Sequence, residues 1–147
     1  MNDGDGSRGS VRILLGDDVS RLPALLDHVR GLAPSAMDAS RVEDVVLTVD
    51  ELVVNAAHHV GGDIVVDLVV DDDVFRVGVS DGDPDFRLTP ETAHPERYGL
   101  RIVDSLSDRW SVEPLKAPRG GKVVWAEFDL GPGARSHPDA KGPLTDR

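Results

Sequence analysis

Residues 40–59 read SRVEDVVLTVDELVVNAAHH, and the arrangement of the whole chain follows from this stretch. On a helix, at about 100° per residue, Val42, Val45, Val46, Val49, Leu52, Val53 and Ala56 gather on one side. Asp44, Thr48, Glu51, Asn55, His58 and His59 gather in a narrow stripe opposite. Ser40 and Glu43 have the spacing of a capping box, and Gly61-Gly62 supplies a stop. A helix with one broad apolar side needs another layer to cover it.

The flanking sequence supplies that layer. Residues 11–15 predict a short strand. Residues 17–32 carry apolar side chains at 19, 22, 25, 26 and 29, which is helical spacing. Asp17 or Asp18 serves as its cap, and Pro23 falls in its first turns. Downstream, residues 64–70 and 74–80 alternate apolar positions across Asp71-Asp72-Asp73, which predicts an antiparallel hairpin. Residues 83–97 contain Pro84, Pro90 and Pro95 and read as a loop. Residues 99–107 predict a short helix. Residues 110–113 and 122–130 predict two more strands, joined by a turn with Pro118 and Gly120-Gly121.

The order β-α-α-β-β-loop-α-β-β predicts an α+β fold, a two-layer α/β sandwich with a mixed, mostly antiparallel sheet and its helices on one face. Residues 1–10 and 131–147 are polar, rich in Gly or Pro, and aperiodic, so they read as disordered tails around one domain at 11–130.

A chain of 147 residues is long enough for one ordinary core, burying roughly 70% of its unfolded surface. It contains no cysteine, which suits a reducing compartment. No apolar run reaches the roughly 20 residues of a membrane span, and MNDGDGSRGS lacks an apolar signal core. The expectation is a cytoplasmic protein without a membrane partner. The formal net charge of -11 argues against direct nucleic-acid binding, which leans on clustered Lys and Arg. It does not exclude a nucleotide, whose phosphates can be held by a metal ion, helix N-termini and a few local cations.

Glu51 and Asn55 are neighbours at i and i+4. A carboxylate and an amide so placed can share a hard cation, or one can take a proton while the other holds the metal. The stripe they belong to is either a solvated face or the wall of a groove. It contains no Lys or Arg, and Leu47 and Val54 flank it, both of which favour the groove. His58 and His59 are adjacent and so point in different directions, which makes a poor transition-metal site. Asp81-Gly82-Asp83-Pro84 closes a strand with turn residues. A carboxylate at that strand end can also accept the exocyclic amine of adenine. Gly99 opens a helix, where a phosphate can approach free backbone N–H groups.

These segments together resemble the GHKL (histidine-kinase-like) ATPase superfamily. Residues 51–59 (ELVVNAAHH) look like its N-box, residues 79–84 (VSDGDP) like its first glycine box, and residues 98–104 (YGLRIVD) like its second. Residues 120–127 (GGKVVWAE) resemble the closing strand of the compact anti-sigma-factor serine kinases. The resemblance implies that Asn55 binds the Mg2+ that bridges the ATP phosphates, and that Glu51 is the general base for a partner's serine hydroxyl. It implies that Asp81 reads the adenine amine, and that Gly99 and Leu100 offer backbone N–H groups to the phosphates.

Three positions depart from the family pattern. Asp83 stands where Gly or Ser is usual, which sets a second carboxylate beside the nucleotide. Arg97 replaces a lid glycine. Val123 replaces a Thr whose hydroxyl supports adenine reading. The implied function is an ATP- and Mg2+-dependent serine/threonine-protein kinase that binds a sigma factor or similar regulator and phosphorylates an anti-sigma antagonist. The smallest family members often form homodimers. Two other possibilities remain open: a non-catalytic binding module with a weakened nucleotide site, and a plain structural domain on which Glu51 and Asn55 are only surface.

Overall fold

The computed structural model describes residues 9–59, 63–71, 73–83, 100–116 and 120–130. In chain order these form β1 (Gly9–Gly16), a 3-10 turn (Val19–Arg21), α1 (Leu22–Leu32), α2 (Ala39–His59), β2 (Ile64–Val70), β3 (Val74–Asp81), α3 (Arg101–Leu106), β4 (Arg109–Pro114) and β5 (Lys122–Asp129). The strands make one sheet in the order β1-β2-β3-β5-β4, antiparallel at every junction. This is the expected α+β sandwich, and its described strands include no parallel pair. The Gly61-Gly62 stop, the 84–97 loop with Arg97, Gly99, Pro118 and the tail residues 1–8 and 131–147 lie outside the described residues.

Local chemistry moves several boundaries. Residues 9 and 10, expected in a tail, pair with Val70 and Val69 in the sheet. The first helical stretch divides in two. Asp18 accepts the Ser20 N–H and caps the 3-10 turn, and α1 then begins at Leu22, with Pro23 in the first turn, where a missing N–H costs no bond. For α2 the cap is Asp38, not Ser40. One Asp38 carboxylate oxygen accepts the Arg41 N–H and the Ser40 hydroxyl, each at 2.9 Å. Those donors hold the Asp38 carboxyl below its ordinary range. Glu43 reaches across to Arg30 of α1 at 2.7 Å instead of closing a capping box.

Strand alternation gives the sheet two faces. The inner one carries Val66, Leu68, Phe75, Val77, Val79, Val124, Ala126 and Phe128, all buried. Leu25 and Val29 of α1, Val45, Val49, Leu52 and Val53 of α2, and Val103 of α3 belong to the same core cluster. On the outer face the Trp125 ring covers Gly78, where a Cβ would lie 2.6 Å from ring carbon, and the Arg76 guanidinium stacks on that ring at 4.3 Å. The acidic hairpin closes as expected. Asp71 accepts the N–H groups of Asp73 and Val74.

Candidate functional site

The polar stripe of α2 is the shoulder of the helix, between its buried side and its solvent side. Its apolar Leu47 and Val54 are exposed to water, at 41% and 51%. Asp44, Glu51 and Asn55 are half-buried, Thr48 is fully buried and His58 is exposed. Thr48 tolerates burial because its hydroxyl donates to the Asp44 carbonyl one turn back, 2.8 Å away. Burial pushes the Asp44 carboxyl above its ordinary range, against the opposing hydrogen bond from Arg41. Glu51 and Asn55 thus sit one turn apart on a rigid element, partly withdrawn from water. Among the described residues no three His, Cys, Asp or Glu side chains gather into a metal cage. A magnesium ion held through Asn55 therefore needs phosphate oxygens and water for its remaining ligands, which is how Mg2+ is commonly bound.

A second cluster lies where β3 ends and β5 begins. The register sets Asp81 opposite Lys122. Lys122 Nζ donates to Asp81 Oδ2 at 2.6 Å, and the two side chains are 3% and 2% exposed. Asp81 Oδ1 accepts the Asp83 N–H at 3.0 Å, so Asp83 meets the site through its backbone. Gly121 makes the approach of the strands possible. Its φ is +93°, and a Cβ there would stand 2.1 Å from the Asp81 carbonyl oxygen. Val123 faces the other side of the sheet, in register with Ser80 and Glu113. The residue standing across from Asp81 is Lys122, one position earlier, which sequence inspection alone passes over.

Leu100 is fully buried at the start of α3, and its carbonyl accepts the Asp104 N–H at 2.8 Å. Gly99, its expected partner at the phosphates, lies outside the described residues. α3 is tied to α2 through Arg41, which is nearly fully buried. The Arg41 guanidinium donates to the Leu106 carbonyl at 2.7 Å and to Asp108 at 2.5 Å, and it lies over the Phe128 ring. Asp108 also accepts the Asp129 N–H, so one carboxylate joins α2, the α3–β4 turn and β5.

The residues fit a nucleotide unevenly. Glu51 and Asn55 suit a metal–phosphate end, whereas Asp81, the carboxylate expected to read adenine, already holds an ammonium. A cavity of about 430 Å3 between β1 and α1, lined by Ile13, Leu15, Arg21 and His28 among others, contains none of the expected site residues. Among the described residues no helix is long and apolar enough to cross a membrane.

No curated protein matches the chain. The family model for the histidine kinase-like ATPase domain matches residues 17–128, from the turn before α1 almost to the end of β5. With the antiparallel sheet and its single helical layer, that match means the chain belongs to the family of histidine kinase-like ATPase domains.

Proposed function

We propose that this ATP-binding domain is a regulatory protein serine/threonine kinase of the anti-sigma-factor type, acting on an anti-sigma-antagonist-type protein. The observation that carries this reading is the pairing of Glu51 and Asn55, half-buried and one turn apart on the most deeply packed helix of the fold. Asn55 would hold Mg2+, and the ion would supply charge neutralisation for the transferring phosphoryl group. Glu51 takes the proton of the partner's serine hydroxyl. Because both groups stand on one rigid element, their separation is set before the substrate arrives, which is the positioning that phosphoryl transfer depends on.

The test is Glu51→Gln, which keeps the volume and removes the base. Mg-ATP affinity should stay within a few-fold, while transfer to a protein serine falls at least about 10²-fold. Slow ATP hydrolysis without a partner serves as the control when the substrate is unknown. Hydrolysis unchanged in Glu51→Gln contradicts the assignment of the base.

One observation favours a second reading. Asp81 is bound to Lys122 in a buried pair, which supports a weakened nucleotide site on a module that acts by protein contact. Under that reading the wild type binds its protein partner and transfers no phosphate to it.

A further inference from the structure

Resting on the nucleotide-binding reading above, we infer that Lys122 is the specificity-determining residue of the base end of the site: its ammonium occupies Asp81, so the chain does not read the 6-amino group of adenine. An aspartate that reads adenine must present a lone pair to the exocyclic N–H. Here Oδ1 is turned to the Asp83 N–H and Oδ2 to Lys122 Nζ, at 3.0 and 2.6 Å. A carboxylate has spare lone pairs, so acceptor capacity is not the obstacle. Space and sign are. An ammonium is a donor only, and an adenine amine brought beside it meets a like donor and a neutralised carboxylate.

To reach Asp81 the amine has to displace a cation whose side chain is 3% exposed, and breaking a buried ion pair is strongly unfavourable. The lysine is also built into place. The β3–β5 register sets it directly across from Asp81, and Gly121 lets β5 begin against the Asp81-Gly82 backbone. Triphosphate binding in the wild type then rests on the phosphate–metal end at Asn55, which is indifferent to the base.

The experiment compares Mg-ATP with the Mg complex of purine riboside triphosphate, which lacks the 6-amino group, by calorimetry on the full chain. The wild type should bind the two within about twofold of each other. Lys122→Thr, which uncovers Asp81, should bind Mg-ATP at least tenfold more tightly than the wild type does and prefer it to the analogue. Lys122→Met, which keeps the apolar stem and removes the charge, should show the same change in preference and stands in if the threonine variant does not fold. The wild-type comparison needs no variant at all.

A wild type that prefers ATP by tenfold or more overturns the inference and leaves the nucleotide reading standing. Uncovered variants that bind both triphosphates equally also overturn it. If the wild type binds neither triphosphate and an uncovered variant binds ATP, the occlusion is complete and the inference holds. Failure of every protein to bind either triphosphate overturns the nucleotide reading, and this inference with it.

Discussion

Gly121 and Lys122 show how far two neighbouring residues can be misread from sequence. A Gly-Gly pair before a strand reads as a turn, and a lysine at a strand's start reads as solvated. Each has its role only once β3 and β5 pair. Side chains alternate, so a register different by one residue would turn Val123 toward Asp81 and Lys122 away. Nothing in the sequence states that register. Asp81 itself was legible, as an acid closing an alternating strand.

The prediction at this scale concerns Gly121→Ala. The new methyl meets the Asp81 carbonyl oxygen at a φ of +93°, so both a clash and a left-handed strain arise. Together they should cost on the order of 3 kcal/mol, lowering the melting temperature by roughly 10 °C. Gly120→Ala, where a Cβ meets nothing within 4 Å, carries the φ strain alone and should cost less. Equal melting temperatures for the two variants would contradict the close approach.

At the scale of elements, α2 was the most legible part of the chain, because a long 3.6-residue period is a strong signal. Its ends were less so. Asp38 and Ser40 are both good caps, and only the structure shows Asp38 accepting the Arg41 N–H while Glu43 turns to Arg30 on α1. Thr48 was expected in a polar stripe and is buried, because a threonine hydroxyl can satisfy itself on its own helix. The burial of Arg41 gave no sequence signal: besides Asp44 on its own helix, its partners Leu106 and Asp108 lie more than 60 residues away.

That residue carries the prediction for the helix. Arg41→Ala removes the cation from a buried pair with Asp108, which should cost about 3–5 kcal/mol in denaturant unfolding. Arg41→Lys should recover little, because an ammonium cannot fork to a carboxylate and a carbonyl with the same geometry. A loss under about 1 kcal/mol in Arg41→Ala would mean that the pair is screened by solvent.

For the whole molecule, one antiparallel sheet is covered on its inner face by one helical layer. Asp81 and Lys122 lie on the inner face of the sheet, the face that α2 covers with its own apolar side. The order of elements was readable because most connections are short and each element carries its own period. Which side chains meet across layers was not, since that depends on register and on how the helix is rolled against the sheet. Roll is why Glu51 and Asn55 are half-buried on a shoulder, and Leu47 and Val54 face water.

The central claim is that this shoulder holds the metal–phosphate end of a nucleotide. Calorimetric titration of Mg-ATP into the wild type and into Asn55→Ala tests it most directly. The alanine lies off the apolar face, so the variant should melt at the wild-type temperature and bind Mg-ATP at least about tenfold more weakly, a loss that disappears when Mg2+ is chelated. Equal Mg-ATP affinity in the two proteins would contradict the account.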